Sequence, residues 1–316
     1  MGLMSKRLIL LTYQNRSGST LLLNLFSRDK RIVTCLEAEI LIDLLLAFPN
    51  KELGTDSGYL FEKLTRNAKL SQWNLSPTLF SEGLKFKNRF DLFLHIINSY
   101  SDTINPNSEI ICFKGTNVAN HFEEIENICE AKGIKCDLIR IIRDPRAVWA
   151  SQKRTVSPTT GKTMSSNPLD VARSWNDWVA LTSCYEGIKT IFYEKLIADG
   201  EKEFTLLCNQ LNIDFKNIYP SGTLYQRLPN DYRSIHRNIE KPFLLHKADA
   251  WKSEISSFSV AVIEREGRTN LKLMGYEPTR SGRTNLLYLT MEFLLRIISR
   301  VKFIKNNCRK SFGYNG

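Results

Sequence analysis

The sequence has no apolar stretch long enough to cross a bilayer, which takes about 20 consecutive residues. The run Leu8-Ile9-Leu10-Leu11 is far shorter, no small-residue cleavage site follows it, and it reads as a buried first strand. Lysine at position 6 breaks the pattern for N-terminal myristoylation. The seven cysteines (Cys35, Cys112, Cys129, Cys136, Cys184, Cys208 and Cys308) have neither C-x-x-C nor Cys/His spacing, so no metal is expected. Their odd number leaves at least one thiol free within a monomer, and scattered buried thiols suit a reducing compartment. Internal repeats and low-complexity tracts are absent. So are basic runs interleaved with aromatics, outside the C-terminal tail, which argues against a nucleic-acid partner. The expectation is a cytoplasmic protein, at most peripheral on a membrane.

What is present is an ordinary soluble composition with a basic excess. A chain of 316 residues, 42% hydrophobic and 24% charged, can bury the core of one large α/β domain, with room for an appendage. Lys and Arg number 44 against 33 Asp and Glu, a formal charge of +11 that favours anionic partners without choosing among them.

Strand-like apolar runs at 7–13, 31–35, 109–114, 136–142 and 188–193 alternate with helical periodicity, which predicts a parallel α/β sheet. Helices are expected at 18–28, 37–48, 83–100, 117–131, 144–153, 168–186, 201–211 and 256–273. Residues 155–167 are polar and turn-rich, a loop able to act as a lid. Residues 214–250 lack clean periodicity and either wrap a site or are disordered. In the tail, Leu286, Phe293, Leu294, Ile297, Ile298, Val301 and Ile304 recur at helical spacing among Arg296, Arg300, Lys302 and Lys305. This predicts a basic amphipathic helix over 283–310, docked on the domain, on a partner subunit or on a membrane surface. The domain expectation is 1–280 plus a tail of 281–316.

After the first strand comes Arg16-Ser17-Gly18-Ser19-Thr20-Leu21, with a helix opening inside it. Unpaired N–H groups at a helix start bind phosphate, glycine permits close approach, and arginine adds a forked cation. Taken alone, the motif could equally be an ordinary strand–turn–helix cap. The G-x-x-x-x-G-K-[ST] loop of ATPases is absent: Gly161-Lys162-Thr163 imitates its end, but Val156 occupies the earlier glycine position. A second strand-to-helix passage, Ile142-Arg143-Asp144-Pro145-Arg146-Ala147-Val148, puts Arg143 at a strand's carboxyl end and proline in a first helical turn. Ser151 follows roughly 12 Å along that helix.

Together these two elements resemble the 5′-phosphosulfate and 3′-phosphate loops of sulfotransferases that use 3′-phosphoadenosine 5′-phosphosulfate (PAPS). The resemblance extends to Tyr193-Glu194-Lys195-Leu196 and to Leu273-Met274-Gly275-Tyr276, covering about 6–278. It implies a P-loop NTPase-like three-layer sandwich around a central parallel sheet. It also implies PAPS as co-substrate, PAP as product, no metal, and a hydroxyl-bearing acceptor; a homodimer is left open. The 5′ end would be held by Arg16 through Leu21, and the 3′-phosphate by Arg143 and Ser151. Tyr193 and Lys252 would also touch the cofactor.

For catalysis, Glu37 stands where the Golgi carbohydrate and tyrosylprotein branches carry a general base, with Glu39 as a rival. Cys112-Phe113-Lys114-Gly115 resembles the segment whose lysine assists the leaving group, alongside Arg16. Tyr232-Arg233-Ser234, followed by Ile239, Lys241 and Pro242, resembles the segment bearing an active-site serine. That match needs a one-residue insertion, and Ala250 replaces the lysine before Trp251, leaving Lys252 or Lys247 as substitutes. If Glu37 and Lys114 converge, Cys35 and Cys112, two residues before each, must lie close; whether they bond is left open. The preferred acceptor is a carbohydrate or glycolipid hydroxyl, with peptide tyrosine second. An ATP-dependent phosphotransferase and a non-catalytic membrane or scaffold protein are the rivals from other classes.

Overall fold

The computed structural model describes residues 6–53, 57–76, 79, 86–157, 160–215, 223–235, 246–279, 290–291, 293–297 and 300. All five expected strands form: β1 (Arg7–Tyr13), β2 (Ile32–Thr34), β3 (Ile110–Lys114), β4 (Cys136–Ile142) and β5 (Lys189–Phe192). They pair in parallel, in the order β2-β3-β1-β4-β5. β1, in the middle, and β3 beside it are buried nearly end to end, as parallel strands covered on both faces must be.

The described residues fall into two compact units, 1–142 with 185–244 and 143–184 with 245–316. The first unit holds the sheet and α1 (Ser19–Phe26), α2 (Ala68–Ser71), α3 (Arg89–Ile104) and α4 (Phe122–Ala131). The second begins with α5 (Pro145–Gln152) and α6 (Pro168–Ser183). After β5 come α7 (Tyr193–Ala198), α8 (Gly200–Gln210), α9 (Leu224–Arg227) and α10 (Asn230–Ile235) in the first unit. The second ends with α11 (Ser257–Glu266) and α12 (Arg268–Leu273).

In the first unit, β1 leads outward to β2 and β3 on one side, and β4 and β5 lie on the other. Such a reversal opens a crevice at the strands' carboxyl ends, where α/β sheets bind ligands. Tyr13 and Lys114 end β1 and β3, and Glu37 lies just beyond β2. The second unit has its own apolar cluster, in which Val148 and Ala150 of α5, Ala172 of α6 and Ile263 of α11 are buried. Arg146 ties it together, reaching Asp144 at 2.8 Å and Glu264 at 2.6 Å while lying over the Trp251 ring.

Several boundaries differ from expectation for local reasons. α3 starts at Arg89, later than expected, because the Asn88 side chain accepts from the Asp91 N–H at 2.9 Å. The single helix expected over 256–273 breaks at Gly267, which ends α11. Tyr193 opens a helix rather than closing β5. The described part of 214–250 carries α9, α10 and the short helix His246–Asp249, and a further short helix, Trp251–Glu254, follows it. Thr290, Met291, 293–297 and Arg300 are helical, and the rest of the tail lies outside the described residues. Among the described residues no helix is long and apolar enough to cross a membrane.

Candidate active site

The loop expected to hold phosphate is shaped by two left-handed residues, Arg16 at φ 74° and Gly18 at φ 91°. A non-glycine residue held there stores strain of a kind that clusters at ligand clamps. Gly18 is required twice over, since a Cβ at that position would sit 2.4 Å from the Tyr193 ring. Tyr193, at the start of α7, is thus the floor on which the loop rests. Ser17, Ser19 and Thr20 are all buried, and the Ser17 hydroxyl has no hydrogen-bond partner among the described residues. Leu21 is half-buried.

Across the crevice, Lys114 is only 5% exposed, and burial lowers its pKa. Its ammonium donates to Thr20 Oγ1 at 3.0 Å, lies 3.7 Å from Glu37 Oε2, and sits over the Tyr13 ring. The Tyr13 hydroxyl donates to the same Glu37 oxygen at 3.2 Å, and Lys69 pairs with Oε1. Burial opposes the charge on Glu37, but Lys114 and Lys69 outweigh it and hold the carboxyl at about 2. Thr20, Glu37, Lys69 and Lys114 line one cleft of ≈ 400 Å³, whose apolar wall includes Leu36, Leu224, Leu228 and Pro229.

Glu39 is placed differently. Its Oε1 accepts from Thr116 N–H at 3.1 Å and Thr116 Oγ1 at 3.2 Å, bracing the loop after β3. Burial, with Glu37 adding to it, pushes its pKa up. It does not line the cleft. The Cys35 N–H donates to the Cys112 carbonyl at 2.8 Å, and both thiols are free and buried.

Of the expected site residues, the loop 16–21, Glu37, Lys114 and Tyr193 thus belong to one unit and one neighbourhood. Arg143 and Ser151 lie in the other unit, at the strand-to-helix passage expected for them, where the Asp144 side chain and Pro145 start α5. Trp175 Nε1 donates to the Arg143 carbonyl at 3.0 Å. Lys252 is 60% exposed and pairs with Asp249 at 2.8 Å. Ser234 lies in α10, but its side chain is outside the described residues, as are Ile239, Lys241 and Pro242. The Gly161-Lys162-Thr163 imitation sits at a turn, where Val156 bridges Thr163. Tyr13, Lys69 and Gln72 were not singled out from the sequence. Tyr13 could have been noticed as the last residue of the strand feeding the loop, whereas Lys69 carries no local signal.

The profile of the sulfotransferase family matches residues 9–217. No curated protein matches. Among solved structures, the sulfotransferase domain from the curacin biosynthetic pathway is similar at 17% identity and a TM-score of 0.53, covering 87% of this chain and 99% of that one. The sulfotransferase domain of the Synechococcus PCC 7002 olefin synthase is similar at 17% identity and a TM-score of 0.56, covering 86% and 94%. The chain belongs to the sulfotransferase family. It is a PAPS-dependent sulfotransferase on the P-loop-like α/β fold that the family's motifs implied.

Proposed function

We propose that this enzyme moves the sulfonate of PAPS onto a carbohydrate or glycolipid hydroxyl by in-line attack. Glu37 takes the hydroxyl proton, the sulfur–oxygen bond to the phosphate breaks as the new one forms, and PAP leaves with the bridging electrons. Arg16 and Lys114 offset charge growing on that bridging oxygen. The loop from Arg16 to Leu21, with Tyr193 beneath it, holds the 5′ end. Arg143 and Ser151 hold the 3′-phosphate, and Ser234 and Lys252 keep the roles the family resemblance implies.

The observation that carries this reading is the chain of contacts from Thr20 through Lys114 to Glu37. It links the phosphate loop to a carboxylate within a single cleft. Peptide tyrosine is the second acceptor class, favoured by the surroundings of Lys114. The basic tail suits an acceptor at a membrane surface, and 1–280 is the catalytic part.

Glu37→Gln is the decisive variant: PAP binding by calorimetry should persist while transfer from labelled PAPS falls by about 10²-fold or more. Unchanged turnover across sugars, lipids and peptides would remove Glu37 as the base.

A further inference from the structure

Lys69 reaches the site from a segment that none of the family motifs includes. Its position is built in: the Asn67 side chain accepts from the N–H groups of Lys69 at 3.1 Å and Leu70 at 3.0 Å, starting α2, and buried Leu70 anchors that turn. The Lys69 side chain is 29% exposed and lies on the cleft wall with Gln72 and Tyr232.

This creates a chemical difficulty for Glu37. Oε1 is held by Lys69, while Oε2 receives the Tyr13 hydroxyl and faces Lys114. Burial opposes the charge on Glu37, yet the two ammonium groups prevail, and it is the neighbouring carboxylate, Glu39, whose pKa rises. A carboxylate engaged on both oxygens is a poor proton acceptor. Lys114 has a second role toward the donor, because it already bonds Thr20 in the phosphate loop. Lys69 faces the open cleft instead, where an acceptor must enter.

We propose that Lys69 reads the acceptor: it binds a carboxylate or sulfate carried beside the reacting hydroxyl, and in leaving Glu37 for that group it frees Oε1 to take the hydroxyl proton. This rests on Glu37 being the base, and it narrows the acceptor class to anionic hydroxyl compounds, such as uronic acids or already sulfated sugars. An acceptor without the anion leaves the Lys69–Glu37 pair closed. Specificity then comes from activation of the base as well as from affinity.

The test is a carboxyl-carbon NMR titration of the full-length protein with PAP bound, labelled at glutamate, with Glu37→Gln assigning the signal. Without further ligand, Glu37 should stay ionised to ~pH 4, whereas Lys69→Met should raise its titration by about 1 unit or more. Glucuronate, but not glucose, should move the wild-type signal toward that of Lys69→Met, and Lys69→Arg should keep the response. No glucuronate shift in the wild type, or an equal shift in Lys69→Met, overturns the proposal. Failure of the underlying reading shows separately, as retained transfer of labelled sulfonate by Glu37→Gln whatever the titration gives.

Discussion

Gly18 is where a single atom decides whether the turn between β1 and α1 can exist. Its backbone is left-handed, and the Tyr193 ring fills the space a side chain would need. Gly18→Ala should therefore abolish PAP binding by calorimetry, while α1 and the rest of the core keep the far-ultraviolet circular dichroism. Trimming Tyr193 to alanine in the same chain should restore binding only in part, because it removes the collision and leaves the backbone strain. Glu37 also sets an acid limit on stability. Its carboxyl is held at about 2 in the fold, against an ordinary value of 4.5, so it stabilises the fold above 4.5 and loses that contribution as pH falls toward 2. Urea unfolding across this window should show the wild type losing stability relative to Glu37→Gln as acid is added. At this scale the strand–turn–helix passage at 16–21 could be read from the sequence, because its residues are contiguous and each has a local reason. The surroundings of Glu37 could not: Tyr13, Lys69 and Lys114 meet there only through sheet register and a distant turn.

Among elements, the strands were the most legible, since β1 and β4 have the limits their apolar runs suggested. Short helices were not: α2, α9 and α10 are too brief to display a period, and capping or tertiary bonds fix them instead. α9 shows how. Arg227 donates to the Thr34 carbonyl at 2.8 Å, to Thr34 Oγ1 at 2.9 Å and to the Tyr100 hydroxyl at 2.9 Å, pinning α9 to the end of β2 beside the cleft. Arg227→Ala should cost about 1.5–3 kcal/mol in chemical denaturation, as loss of hydrogen bonds to a charged group does. It should also raise KM for the acceptor more than for PAPS, because Leu224 and Leu228 shift while the phosphate loop stays. Equal effects on both substrates would count against α9 as an acceptor wall.

For the whole molecule, a charge of +11 suits an enzyme whose donor is a polyanion, and it predicts cofactor affinity that weakens with salt. PAP at 100 times its Kd should stabilise the protein by about 2.7 kcal/mol, and ATP at the same concentration much less. Arg143→Ala should lose most of that gain, yet respond like the wild type to an analogue lacking the 3′-phosphate. Equal losses for both ligands would take the 3′-phosphate role away from Arg143.

The interrupted path of the chain has a consequence for how the enzyme is born. Lys114 and Glu37 are translated before residue 142, but Leu224, Leu228 and Tyr232, which wall the same cleft, emerge only after the chain has passed through 143–184. During that interval β4 has no neighbour on its outer side, because β5 is not yet made. An unpaired parallel edge on a nascent chain invites association with other chains. Ribosome stalling or truncation between 142 and 189 should thus yield insoluble product, whereas release beyond 235 frees a chain able to cover β4 with β5.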